Sequence, residues 1–252
     1  MKSHFKQIVT VLLSVFLLSC SADETNPETV INPPVVIPPT TQVPTMPVLT
    51  SVNYLALGDS YTIGQSVCET CRFPEQLKSS LKSNYPGSSF SLKVIATTGW
   101  TTSNLISAIN TQSPDSNYDL VTLLIGVNNQ YQGKDFSIYE KEFPQLVSKS
   151  IMLAKGDKKN VIVVSIPDYA YTPFGKMSMN QEKITSEINK YNTFAENYCM
   201  MNGVTFVSIT DITREGLNNT TLVASDGLHP SEQAYKMFVE RMLPKVKMAL
   251  QD

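Results

Sequence analysis

From Val52 to the C-terminus, short apolar runs alternate with longer stretches in which apolar residues recur every three or four positions, the two periods of strand and helix. Five runs predict strands: NYLALGD (53–59), LKVIATT (92–98), DLVTLLIGV (119–127), NVIVVSIPD (160–168) and VTFVSIT (204–210). Between and after them, helices are expected near 73–84, 102–111, 136–154, 180–202 and 232–250. In the fourth, Ile184, Ile188, Tyr191, Ala195 and Tyr198 form one stripe, and Gly203 is placed to end it. The central runs are apolar at consecutive positions, so both faces of those strands are expected to be covered, as in a parallel sheet with helices on each side. The alternation predicts one three-layer α/β/α domain over 51–252, with a central parallel sheet of about five strands.

In open sheets of this kind, sites form beyond the carboxyl ends of the strands. Gly58, Asp59 and Ser60 follow the first predicted strand, Gly99 and Trp100 the second, and Gly126, Asn128 and Asn129 the third. The fourth leads into IPDYAYTPFG (166–175), and the loop after the fifth reaches DGLHPS (226–231). A serine hydroxyl is a weak nucleophile and needs a base beside it. His229 would be such a base, oriented by Asp226 three residues earlier. The same two residues also fit a surface acid and histidine at a helix entry, with Ser231 as the N-cap. Asp59 reads as a structural turn residue. Trp100 fits either a pocket wall or simple packing, and the loop bearing Asp168, Tyr169, Tyr171 and Phe174 fits either a substrate wall or a surface loop.

The first fifty residues have a different character. Lys2 and Lys6 precede an apolar run from Ile8 to Leu18, too short to span a bilayer. Leu17-Leu18-Ser19-Cys20 resembles the lipobox of bacterial lipoproteins, which implies a signal peptide over 1–19 and a lipid on Cys20. Ser21, where an aspartate would imply inner-membrane retention, points to an outer-membrane or surface location in the cell envelope. Seven of the fifteen prolines fall between residues 21 and 50, without helical or strand period, so 20–50 is expected to be the lipidated cysteine and a tether. At about 3.1 Å per residue it could reach roughly 90 Å from a membrane.

Without residues 1–19 the chain keeps 18 of its 20 basic residues against 22 acidic ones, so it has no electrostatic footprint for nucleic acid. Its single remaining histidine, His229, and the lack of a second cysteine pair argue against a zinc site. Cys68 and Cys71 are compatible with a disulfide in an exported protein or with free thiols, and they lack the strand and helix context of a thioredoxin-like redox pair. Cys199, within a helical pattern, reads as a small buried apolar residue.

Four blocks, Gly58-Asp59-Ser60-Tyr61, Gly99, Gly126-Val127-Asn128-Asn129 and Asp226-Gly227-Leu228-His229, together resemble those of the SGNH, or GDSL, hydrolases, in the family's order and over nearly all of residues 52–250. The resemblance implies a flavodoxin-like α/β/α fold and a serine esterase acting on acyl esters, with no metal or organic cofactor. It implies Ser60 as nucleophile, His229 as base and then acid, and Asp226 as the orienting carboxylate. The oxyanion donors would be the backbone N–H groups of Ser60 and Gly99 and the side-chain amide of Asn128. Two positions depart from the pattern: Tyr61 replaces the leucine of the namesake motif, and Asn129 stands where the third block usually has aspartate. The implied substrate is an acylated glycan or small ester, with a thioester or lysophospholipid as the alternative; a rival reading is a noncatalytic glycan-binding lipoprotein that has kept the fold, against which stands the presence of every catalytic side chain.

Overall fold

The computed structural model of the chain describes residues 49–251; the predicted signal peptide, Cys20 and all but the last two residues of the predicted tether lie outside them. Five strands form one sheet: β1 (Ser51–Gly58), β2 (Ser89–Ala96), β3 (Leu120–Leu124), β4 (Val161–Val164) and β5 (Thr205–Val207). Nine α-helical segments accompany them among the described residues: α1 (Ser60–Ile63), α2 (Phe73–Asn84), α3 (Thr102–Gln112), α4 (Val127–Tyr131), α5 (Phe136–Leu153), α6 (Pro173–Lys176), α7 (Gln181–Asn202), α8 (Thr210–Arg214) and α9 (Glu232–Ala249).

The strand order is β2-β1-β3-β4-β5 and every neighbouring pair is parallel. Parallel neighbours need crossovers, and the five long helices supply cover for both faces. Helices α2 and α9 pack together on one face, while α5 lies between α3 and α7 on the other. Burial follows from this layering. Every residue of β3 and β4 is buried, whereas β2, at the sheet edge, alternates between exposed and half-buried positions along most of its length. On the α5/α7 face the filling is aromatic: the Tyr139 ring sits 5.1 Å from Phe143 and 4.6 Å from Tyr191.

The long helices begin and end within a residue of where the periodicity puts them, but the stripe on α7 is corrected at its last position. Cys199 is fully buried there and Tyr198 is only half-buried. Strands β3, β4 and β5 are shorter than the apolar runs that predict them, whereas β1 and β2 begin two and three residues earlier than theirs. Beyond β4, Ser165 and Ile166 remain buried, yet the Ile166 backbone bonds to the Asn192 side chain, N–H to Oδ1 at 2.8 Å, instead of to a neighbouring strand. Apolar composition reports burial, and burial outlasts the ladder.

Register places the site. Gly58, the last residue of β1, pairs with Ala96 on one side and Leu124 on the other, so the adjacent strands β2, β1 and β3 end level. The segments that follow them therefore emerge side by side. Gly58 itself permits no side chain: a β-carbon there would stand 2.1 Å from Thr62 Oγ1 and 2.4 Å from the Leu124 carbonyl oxygen.

Candidate active site

Ser60 opens α1 immediately after β1 and is almost fully buried. Asp59 caps that turn, its Oδ1 accepting the Tyr61 N–H at 3.0 Å, which accounts for an acid at the position. Burial pushes the Asp59 carboxyl up to about 7, against the pull of that backbone N–H.

The loop after β5 delivers the histidine. Between Val223 and Pro230, which form an antiparallel bridge, the chain turns through Gly227 at φ 73°. In this turn Asp226 Oδ1 accepts the N–H of Leu228 at 2.9 Å and of His229 at 3.0 Å, and Oδ2 meets His229 Nδ1 at 2.6 Å. Facing a carboxylate, Nδ1 carries the proton, which leaves Nε2 with the free lone pair. Partial burial raises the Asp226 carboxyl, but hydrogen bonds from the Ser66 hydroxyl, the His229 N–H and ring, and the Leu228 N–H outweigh it and hold the group well below the usual carboxylate range. The His229 ring is buried against Tyr61, with centroids 5.5 Å apart.

The loop after β2 and the turn into α4 form the third side. Gly99 adopts φ 83° with open space before it, so its N–H can approach a ligand closely. Among the described residues, neither the Ser60 nor the Gly99 N–H donates to a protein acceptor. Asn128 gives one amide N–H to the Trp100 carbonyl at 3.0 Å, which fixes its plane and leaves the other N–H for the cavity. Its neighbour Asn129 is fully buried and has a structural place: Oδ1 accepts the Thr102 N–H at 3.0 Å, and Nδ2 donates to Thr102 Oγ1 at 2.7 Å.

Ser60, Gly99, Asn128 and His229 thus line one cavity of about 260 Å³. No hydrogen bond joins Ser60 Oγ to the imidazole, and such contacts often tighten only when substrate binds. Val127, Tyr131, Tyr169, Phe174 and Leu228 complete the wall, so the loop after β4 does contribute aromatic lining. Tyr171 of the same loop faces a separate hollow, and Asp168 is buried in an ion pair with Arg214 at 3.0 Å. That hollow, about 550 Å³ and bordered by Thr185 and Asn189, is larger but gathers no serine and histidine pair. Trp100 stands away from the cavity, over α3 beside Asn104 and Ala108. Cys68 and Cys71 form a disulfide, and Cys199 is free and buried. Sequence reasoning missed Tyr131, because α4 is too short to carry a period, and Ser66, whose hydroxyl reaches Asp226 across 160 residues.

A doubly wound sheet whose carboxyl edge gathers a serine, a histidine–aspartate pair and free N–H donors defines an α/β enzyme suited to acyl transfer. The chain belongs to the GDSL-like lipase/acylhydrolase family, whose model matches residues 56–237, and is an ester-hydrolysing enzyme. Solved structures share the fold at low identity. The acetylxylan esterase Axe2 from Geobacillus stearothermophilus is 19% identical with a TM-score of 0.60, covering 80% of this chain and 96% of that one. A lipolytic G-D-S-L family protein from Veillonella parvula is 17% identical (TM-score 0.58; 76% and 96% covered). The psychrotrophic esterase EstA from Pseudoalteromonas sp. is 15% identical (TM-score 0.55; 79% and 99% covered). No curated protein matches the chain in sequence.

Proposed function

We propose that the protein is a lipid-anchored, extracytoplasmic serine esterase that removes short acyl groups, acetyl foremost, from glycans at the cell envelope. The observation that carries this reading is the convergence of Ser60, Gly99, Asn128 and His229 on one cavity, with Asp226 behind His229 on Nδ1. In the proposed reaction Ser60 Oγ attacks the ester carbonyl carbon and passes its proton to His229 Nε2. Asp226 stabilises the imidazolium. The carbonyl oxygen, now negative, takes hydrogen bonds from the Ser60 N–H, the Gly99 N–H and the Asn128 amide, each aimed where charge develops. As the carbon–oxygen bond breaks, His229 returns the proton to the departing alcohol. Water, deprotonated by the same imidazole, then attacks the acyl-enzyme and frees the acid and Ser60.

Cavity size supports a short acyl group, because about 260 Å³ is below the roughly 300 to 1,000 Å³ of sites for drug-sized ligands. Tyr131 is 56% exposed at the rim and packs edge-on to Tyr169, with centroids 5.8 Å apart, offering a flat aromatic face to the alcohol side of the ester. A sugar ring suits such a face. The resemblance of one structural neighbour to this chain, an acetylxylan esterase, is in keeping with that substrate class.

The test is hydrolysis of p-nitrophenyl acetate by the wild type and by Ser60→Ala, with fluorophosphonate labelling alongside. Turnover and labelling are expected in the wild type and lost in the variant, and serine-independent turnover would remove Ser60 from its role. A panel of acetylated oligosaccharides, phospholipids and acyl thioesters then ranks the substrates, with the acetylated oligosaccharides expected first.

A further inference from the structure

Four donors surround the Asp226 carboxylate, and one comes from a remote part of the chain. The N–H groups of Leu228 and His229 serve Oδ1, and the His229 ring serves Oδ2. The fourth is the Ser66 hydroxyl, which donates to Oδ2 at 2.6 Å. Ser66 lies six residues beyond Ser60, in the loop between α1 and the Cys68–Cys71 disulfide. Its backbone is left-handed, φ 66°, where a β-carbon is a disadvantage and glycine fits without one. A serine kept in such a conformation marks a position where the side chain matters more than backbone ease. The preceding residue reaches the other half of the site: Gln65 Oε1 accepts the hydroxyl of Thr98 at 2.7 Å, next to Gly99.

We propose, on the esterase reading above, that Ser66 is a positioning residue, whose hydroxyl fixes the Asp226 carboxylate so that Oδ2 meets His229 Nδ1 and Nε2 is aimed at Ser60. The backbone bonds to Oδ1 hold one oxygen only, and the terminal torsion of a carboxylate is broad and soft. The Asp226 side chain is 29% exposed, so water can compete for Oδ2 once the hydroxyl is gone. Ser66 does not line the cavity, so its effect is on the chemical step and not on substrate binding.

The experiment compares wild type, Ser66→Gly and Ser66→Asn in the full chain. Ser66→Gly removes the hydroxyl while easing the backbone, so its melting temperature is expected to equal or exceed that of the wild type. Its kcat on p-nitrophenyl acetate is expected to fall about tenfold to a hundredfold, as for a lost hydrogen bond to a charged group, with KM within about twofold. Asparagine tolerates the left-handed region and carries an N–H donor, so Ser66→Asn is expected to recover most of the loss. Proton NMR reads the same contact without turnover: the low-field resonance of the His229 Nδ1–H is expected to move in Ser66→Gly and return towards its wild-type position in Ser66→Asn. A Ser66→Gly enzyme with wild-type kcat, or an unmoved resonance, overturns the proposal. If the wild type itself shows no Ser60-dependent turnover, the esterase reading falls, and the resonance still decides whether Ser66 sets the His229–Asp226 pair.

Discussion

Asp59 and Asp226 each hydrogen-bond to a residue that lines the cavity, Tyr61 and His229 respectively, and their surroundings drive them in opposite directions. Asp226 has four donors and is held well below the usual range, so its contribution to stability is complete above the ordinary carboxylate pKa and is lost only in strong acid, as pH falls through its folded value. Asp59 is fully buried, and its Oδ2 has no hydrogen-bond partner among the described residues, nor does the hydroxyl of Tyr235, whose electrostatic environment includes Asp59. A partnerless buried oxygen suits the neutral acid, in line with the rise to about 7 that burial imposes. Between about pH 4 and 7 the folded state then keeps a proton that the unfolded chain has released. Stability must fall as pH rises through that window, by an amount that reaches roughly 4 kcal/mol above it. Asparagine at 59 can still accept the Tyr61 N–H and carries no charge to bury. Asp59→Asn is therefore expected to be close to the wild type in urea unfolding at pH 4 and clearly more stable at pH 8. An unchanged pH slope would show that Asp59 is not the group responsible.

At the scale of elements, the proposed oxyanion side of the site depends on how α4 is fastened to the start of α3. Two adjacent asparagines do this, Asn128 through the Trp100 carbonyl and Asn129 through both the N–H and the hydroxyl of Thr102. The Thr102 hydroxyl has one proton, and it goes to Glu142 on α5. Its lone pair must then be met by a donor, which the Asn129 amide supplies and a carboxylate cannot. Beside Glu142, an amide at position 129 is thus the side chain that completes the Thr102 hydroxyl. Asn129→Asp is expected to lower stability by about 1 to 3 kcal/mol, and Glu142→Gln in that background to restore most of it, since a glutamine amide can donate to Thr102 and free its proton for the carboxylate introduced at position 129. Independent, additive effects in denaturant melts would refute the coupling. Such a contact explains what could and could not be read from sequence. The five long helices announce themselves through stripes such as Ile184, Ile188, Tyr191 and Ala195, because tertiary packing selects one face over many turns. Helices α1, α4, α6 and α8 span four or five residues, too few to show a period. The meeting of Ser60, Gly99, Asn128 and His229 at one cavity was legible, because the first three stand just beyond the ends of β1, β2 and β3 and all four fall in short sequence blocks. The roles of Asn129 and Tyr131 depend on partners brought up by folding, and nothing local marks them.

At the scale of the whole molecule, the parallel sheet has two unlike edges, and the cavity occupies the carboxyl one. The chain enters β1 at the other, and eight residues of strand, at about 3.3 Å each, separate Ser51 from the turn that holds Ser60 by roughly 25 Å. The predicted tether, joined at Ser51, would therefore meet the domain on the edge away from the site. Under the proposed anchoring through Cys20, lipid and catalysis should then be separable functions. Each buried methylene of an acyl chain contributes roughly 0.8 kcal/mol, so multiple chains on Cys20 would hold the protein on a membrane firmly. Cys20→Ala is accordingly expected to lose labelling by a palmitate analogue and to leave the membrane fraction, yet to hydrolyse p-nitrophenyl acetate with kcat and KM within about twofold of the wild type. On an insoluble acetylated polysaccharide, shortening the proline-rich segment in the anchored protein should slow deacetylation without changing the rate on the soluble ester, because only reach has changed. Continued palmitate labelling of Cys20→Ala would place the lipid elsewhere, and a soluble-ester rate that fell with the anchor would mean that the membrane takes part in shaping the site.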